Sequence, residues 1–172
     1  IKESILLFLR LNFLKKETYV KPLTFIGLGS NILVRDGGIR GTVVVMHVAL
    51  NEIQITDEGV YAEAGNTCAR IAKHLAKEHF VGEEFFAGIP GTVGGALAMN
   101  SGCYGSETWN YVTKVNMIDE TGNLVTRSKD TFGISYREVI KPNLNEWFVG
   151  AWFNFKKDMD ADPESKIKEY LN

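Results

Sequence analysis

The chain has 172 residues, 45% of them hydrophobic, and a formal net charge of −2. That supports a packed core in one or two small domains. The Lys and Arg residues are scattered, without the basic patch of a nucleic-acid binder, and no apolar run approaches the ~18 residues of a membrane-spanning helix.

Ile5, Leu6, Leu9 and Phe13 fall near helical spacing and predict a helix over Lys2–Leu14. Arg10 and Asn12 interrupt this opening and no small-residue cleavage site follows, so it reads as a core-facing helix and not a signal peptide. LTFIGLG (23–29) is a buried strand running into a loop, and TVVVMHV (42–48) is a β-branched strand. EIQITDEGVYAEAG (52–65) alternates and breaks at Asp57-Glu58-Gly59, a hairpin. Thr67 caps a helix over Cys68–Glu78 with Ile71, Ala72 and Leu75 on one face. YVTKVNMIDETGNLVTRS (111–128) is a second hairpin turning at Glu120–Asn123, EWFVGAWFNFKK (146–157) is an aromatic strand, and the tail ends in a short helix. Strands that follow one another directly outnumber alternating strand–helix units, so the class is α+β.

Between the helix and the second hairpin lies FAGIPGTVGGALAMNSGCYG (86–105), with Gly88, Gly91, Gly94, Gly95, Gly102 and Gly105 set among apolar residues. Ordered glycine is entropically costly, so such a block points to tight turns or backbone lying close to a ligand with phosphate or a flat ring. A second cluster, Gly27, Gly29, Ser30 and Asn31, follows the first strand. Ile32 breaks G-x-G-x-x-G, and no Lys-Ser/Thr follows at Walker A distance. The loop offers backbone N–H groups, a hydroxyl and an amide to an anion; on its own it reads first as a plain tight turn. Two such loops in one short chain raise a dinucleotide cofactor.

Other groups read as structure. Cys68 and Cys103 have no CxxC spacing and read as free thiols in a reducing compartment. His47, His74 and His79 lack ligand spacing, so no metal site is expected. Glu83-Glu84 are adjacent carboxylates that point apart in a solvated turn. Trp109, Trp147 and Trp152 are packing residues.

GLGSNILVRDGGIRGTVV, AEAGNT, FFAGIPGTVGGALAMNSGCYG and SYRE, in this order and spacing, resemble the UDP-N-acetylenolpyruvoylglucosamine reductase family over about residues 1–156. The resemblance implies the FAD-binding domain of the vanillyl-alcohol-oxidase/PCMH type, built of two small α+β subdomains. Residues 1–50 would be part of the first, 51–156 the second, and 157–172 the start of a truncated C-terminal region. It implies a cytoplasmic bacterial enzyme of cell-wall peptidoglycan synthesis, in which hydride from NADPH reaches the enolpyruvyl double bond of a UDP-sugar by way of FAD. By position, Gly29, Ser30, Asn31, Gly88, Ile89, Pro90, Gly91, Thr92, Gly94, Gly95, Asn100, Gly102, Tyr104, Gly105 and Tyr136 would serve the cofactor. Arg137 would be catalytic, stabilising the enolate-like charge at the substrate carboxyl. Its fork suits bidentate grip of a carboxylate.

Val139 stands where the family has Ser, and Ile134 where it has an aromatic residue. The family's proton-donating serine and catalytic glutamate belong to a C-terminal substrate domain, and this sequence stops at Asn172 before it. Ser101 and Ser106 are structural, not substitutes. The opening residue is Ile, so part of the first subdomain is expected to be missing. The expectation is therefore a monomeric FAD-binding core with small-molecule partners and neither nucleic acid nor membrane. Two alternatives are a same-fold FAD oxidase or dehydrogenase on another substrate, and a non-catalytic flavin-binding remnant.

Overall fold

The computed structural model describes residues 19–47 and 49–172. The helix expected over Lys2–Leu14 lies outside the described residues.

Strands β1 (Leu23–Ile26) and β2 (Thr42–Val45) form a parallel pair, with Leu23 opposite Thr42 and Ile26 opposite Val45. Two hairpins and one long strand build an antiparallel sheet. Its strands are β3 (Ile53–Thr56), β4 (Gly59–Glu63), β8 (Val112–Asp119), β9 (Leu124–Ser128) and β12 (Glu146–Phe153), in the order β3-β4-β12-β8-β9. Short antiparallel pairs supply the other strands: β5 (Phe80–Val81) with β13 (Lys156–Lys157), β6 (Gly102–Cys103) with β7 (Ser106–Glu107), and β10 (Gly133–Ser135) with β11 (Glu138–Ile140). The pairs β3–β4 and β8–β9 are the hairpins expected from sequence. At the second turn, Asp119 Oδ1 accepts the N–H groups of Thr121 at 2.9 Å and Asn123 at 2.8 Å. The expected aromatic strand is β12, at the sheet's centre.

A register shift between Phe148 and Gly150 places a bulge in β12. Phe148, Ala151 and Phe153 pack into the larger core, whereas Trp147 and Val149 join the smaller one. That smaller core, with Met46, Leu50, Ala64 and Ile118, seats Leu23, Phe25 and Val44 of the parallel pair on the sheet. Phe25 stacks on Trp147 with ring centroids 4.6 Å apart.

The larger core is covered by α1 (Cys68–Ala76), a short 3-10 helix (Glu84–Gly88) and α3 (Pro163–Leu171). Thr67 caps α1 by accepting the Arg70 N–H, and Ile71, Ala72, Leu75 and Ala76 face inward. In α3, Asp162 accepts the Ser165 N–H at 3.0 Å and Pro163 occupies the first turn, where its missing N–H costs nothing. Phe86, fully buried, meets Phe153 and Phe155 edge-on. Truncating such a ring costs about 3–5 kcal/mol.

Glu83 and Glu84 do not form the solvated turn expected of them, since both are buried. Glu84 accepts the Gly82 N–H at 2.7 Å and pairs with Lys166 of α3 at 3.3 Å. Neither carboxyl oxygen of Glu83 has a hydrogen-bond partner, and burial pushes its pKa up to about 8. The covering helix excludes water here, which composition could not reveal. Cys68 and Cys103 are free thiols, and burial pushes Cys68 up to about 12.

Candidate functional site

The two glycine-rich loops meet. The β1 strand delivers Gly27–Asn31 from its C-terminal end. The second loop runs from the 3-10 helix through Ile89 and Pro90 into α2 (Val93–Met99), capped by Thr92, whose Oγ1 accepts the Gly95 N–H at 3.3 Å. Backbone bonds fix this loop from behind: Cys68 N–H donates to Gly91 O at 2.9 Å, Val93 N–H to Asn66 O at 2.8 Å, and Gly94 N–H to Ala64 O at 2.8 Å. The loop is thus sewn to the junction of β4 and α1, and the first donors of α2 are already engaged.

Between the loops lies a cleft of about 510 Å³, lined by Gly29, Ser30, Asn31, Gly88, Ile89, Pro90, Gly91, Thr92, Gly95 and Gly102 of the expected residues. Arg137 lines it from across the fold. Gly94 lines an adjoining cavity of about 160 Å³, walled by Phe25, Met46, Trp147 and Phe148. The lining the sequence reading missed includes Phe25 and Ile26 at the end of β1, and Met99, Ser101 and Cys103. The available signal was position, because ligands collect at strand ends where loops begin.

Among the described residues, no protein acceptor takes the N–H groups of Gly29, Ser30 or Asn31. The loop is exposed, and Gly29 adopts φ +77°. Successive free N–H donors in a turn that lines a cleft suit an anion. On the opposite side, a β-carbon at Gly91 would meet only Ser30 Oγ at 3.6 Å and Ile89 at 3.9 Å, and one at Gly95 only Thr92 Oγ1 at 3.7 Å. The protein does not need glycine there for its own packing, so the missing side chains leave cleft space. By contrast, a β-carbon at Gly88 would strike the Tyr104 ring at 2.5 Å, and one at Gly94 would crowd Ala64 at 3.0 Å.

Arg137 is the second residue of the tight loop between β10 (Gly133–Ser135) and β11 (Glu138–Ile140), at φ +59°. A non-glycine residue there is strained, and such strain gathers at functional sites. Lys141, just past β11, lines the smaller cavity and donates to Leu144 O at 2.9 Å and to Glu146 O. Burial lowers its pKa, with the Glu146 charge pulling the other way.

Four expected cofactor residues line neither the cleft nor the adjoining cavity. Tyr136, beside Arg137, is 80% exposed and is not among the lining residues. Tyr104 stacks on Tyr170 of α3 at 4.1 Å, its hydroxyl donating to the Tyr170 carbonyl, so its ring covers Gly88 from outside. Gly105 adopts φ +77° in the turn beyond it. Asn100 is turned into the protein, bonded to three neighbours. Ser106 Oγ reaches only Tyr111 Oη, at 3.5 Å. No cluster of metal-ligating side chains occurs among the described residues, nor any helix long and apolar enough to cross a membrane.

The FAD binding domain family matches residues 16–128. The UDP-N-acetylenolpyruvoylglucosamine reductase of Nitrosospira multiformis is 45% identical, over 92% of this chain and 53% of its own. That of Nitrosococcus oceani is 48% identical, over 99% of this chain and 55% of its own. The chain spans about half the length of the curated relatives it matches. The crystal structure of UDP-N-acetylenolpyruvylglucosamine reductase from Thermus caldophilus superposes with a TM-score of 0.75 at 23% identity, over 93% of this chain and 58% of that one. At that identity the likeness concerns the fold.

Proposed function

Because the chain belongs to the FAD binding domain family, we propose that it is the cofactor-binding portion of an NADPH-dependent reductase acting on a UDP-N-acetylglucosamine enolpyruvate in peptidoglycan synthesis. One observation carries the reading: the Gly29–Asn31 donors, the Gly88–Gly95 loop and Arg137 converge on a single cleft.

The residues fit FAD. The N–H groups of Gly29, Ser30 and Asn31, which meet no acceptor among the described residues, suit the pyrophosphate, with the Ser30 hydroxyl beside them. The space kept by Gly91 and Gly95 admits backbone-close contact, and the Phe25–Trp147 cavity suits a flat ring. When bound, the flavin supplies reversible acceptance and delivery of hydride.

The chain's own residues do the rest. The loops bind and orient, and the apolar lining excludes water. Arg137 offers a permanent cation at one side of the cleft, placed to stabilise negative charge as it develops on a substrate carboxyl. Ser30 and Ser101 line the cleft, but the resemblance assigns the proton donor to a serine of a C-terminal substrate domain, and the reading follows that assignment. Arg137 as the catalytic residue, a boundary near residue 50, action as a monomer in the cytoplasm and a lack of nucleic-acid or membrane partners belong to the same reading; the scattered Lys and Arg support the part that concerns nucleic acid.

The test is a titration of flavin-free protein with FAD, read by flavin absorbance and fluorescence. Saturable uptake of about one equivalent is expected, with NADPH oxidation dependent on the UDP-sugar in the full-length protein. A protein that takes up no FAD overturns the reading. FAD uptake with turnover of another substrate would leave the fold assignment and favour the oxidase alternative.

A further inference from the structure

Asn100 joins three parts of the molecule: the end of α2, the segment of Glu107 and Trp109, and the β10–β11 hairpin. It closes α2 in the left-handed conformation, φ 42° and ψ 51°, and is buried to within 2%. Its Nδ2 donates to the Ser135 carbonyl at 3.1 Å and to Glu107 Oε2 at 2.8 Å. Its Oδ1 accepts the Trp109 N–H at 3.1 Å. The partners fix which way the amide points, because a flip would set its N–H groups against the Trp109 donor and its oxygen against two acceptors.

Ser135 is the last residue of β10, two positions before Arg137. The β10–β11 hairpin is small, with only three residue pairs and a strained turn. A hairpin of that size is marginal without outside support. Ile134 and Val139 pack against the larger core, and Lys141 ties the far end to Leu144 and Glu146. At the turn end, Ser135 Oγ bonds only within the hairpin, to Glu138 at 3.1 Å. The bond from Asn100 is the polar tie between that end and the helix lining the cleft.

We propose that Asn100 is a positioning residue for Arg137. Its amide holds the hairpin turn against the end of α2 and so sets where the guanidinium enters the cleft. The inference rests on the reading of Arg137 as the catalytic cation. Asn100 itself does not touch the cleft and acts through the hairpin.

Asn100→Gly separates this role from plain helix capping. Glycine accepts the left-handed conformation without strain and is the usual residue there, so the backbone is kept and only the amide is lost. In the full-length holoenzyme, kcat for the UDP-sugar should fall ~10–100-fold, the effect of an ångström-scale misplacement of a reacting group. FAD affinity and the KM for NADPH should stay unchanged. Hydrogen exchange of the 133–140 amides should speed at least ~10-fold while exchange in the five-stranded sheet does not. In an Arg137→Ala background, Asn100→Gly should produce no further loss of kcat, because the path through Arg137 is already cut.

Unchanged hairpin exchange overturns the positioning role even where Arg137 proves catalytic. Additive losses in the double variant also overturn it. Normal turnover by Arg137→Ala alone overturns the catalytic reading on which it rests, whatever the hairpin does. If Asn100→Gly does not accumulate as folded protein, Asn100→Asp combined with Glu107→Gln takes its place. The amide introduced by Glu107→Gln can donate to the introduced carboxylate where Asn100 donated to Glu107. The acceptor for Trp109 is kept, the donor to Ser135 is removed, and the same exchange experiment decides.

Discussion

A β-carbon on Gly27 would collide with the Thr92 hydroxyl, the oxygen that accepts the Gly95 N–H and caps α2. The two glycine loops are therefore packed against each other by the absence of one side chain, and the cleft opens just beyond that contact. Its glycines fall into two groups. Gly27 and Gly94 are required by the protein's own packing, whereas Gly91 and Gly95 leave room that the protein does not use.

This division predicts opposite outcomes for the same substitution. Gly27→Ala and Gly94→Ala should lower stability by about 1–3 kcal/mol, the cost of overpacking. Gly95→Ala should be neutral or stabilising by about 0.5–1 kcal/mol, since alanine is the better helix residue. Gly91→Ala should leave stability near wild type. Both Gly91→Ala and Gly95→Ala should nonetheless weaken FAD uptake at least tenfold. Thermal melts of the flavin-free protein and flavin titrations separate the two effects. Wild-type FAD affinity in Gly91→Ala would mean that the space serves no ligand.

Arg137→Ala in the full-length enzyme should retain bound FAD and NADPH oxidation by artificial acceptors. Reduction of the UDP-sugar should fall by about 10²–10³, or roughly 3–4 kcal/mol, as when one charge-stabilising donor is removed. Arg137→Lys should recover little of it, because an ammonium lacks the planar fork. Stopped-flow measurement of the two half-reactions checks this, and substrate turnover at the normal rate rejects the role.

The sequence was informative where physics is local. The hairpins of 52–65 and 111–128 and the Thr67 cap appeared as the residues imply, whereas the glycine block, read as a loop, folds over Val93–Met99 into the helix α2. It was uninformative where long-range packing decides. Asn100 and Tyr104 sit within the same glycine-rich block as the cleft residues, yet Ser135 and Tyr170, distant in sequence, turn them away from it. Phe25 joins the site only because Trp147 stacks beneath it. Glu83 and Glu84 looked solvated until α3 was laid over them.

Glu83 gives a pH dependence with a definite sign. Burial dominates its shift, the neighbouring Glu84 adds to it, and the Lys166 charge opposes it. The folded state thus keeps a proton up to about pH 8 that the unfolded chain releases near 4.5. Between those values the folded state binds more protons, so stability falls as pH rises and levels off above 8. At pH 7 the cost is on the order of 3 kcal/mol. Glu83→Leu, of similar volume and with no polar atom to satisfy, should stabilise the protein and flatten this slope. Urea denaturation at pH 5 and pH 8.5 checks it; an equal slope in both proteins would remove Glu83 as the cause.

The ion pair at the start of β12 has the opposite sign. Arg127 grips Glu146 with both prongs, Nε to Oε2 and Nη2 to Oε1, each at 2.5 Å, and Asn143 adds a third bond at 3.1 Å. Hydrogen bonds from Arg127, outweighing burial, hold the Glu146 pKa below its ordinary value. Its stabilisation is therefore complete above the unfolded pKa and is lost as pH falls through the folded one. Arg127→Met should cost about 2–3 kcal/mol at pH 7, below the ~3–5 kcal/mol of a fully buried pair, because the Arg127 side chain is 26% exposed. The deficit should shrink as pH falls through the ordinary carboxylate range and on through the lowered folded-state pKa of Glu146, and be smallest once the carboxyl is neutral and no unpaired charge remains. A deficit that stays constant from pH 7 to pH 4 would show that Arg127 contributes packing alone. Because Lys141 anchors the β10–β11 hairpin on the Glu146 carbonyl, Arg127→Met should also quicken hydrogen exchange at the Lys141 end of that hairpin, and less at the Ser135 end held by Asn100.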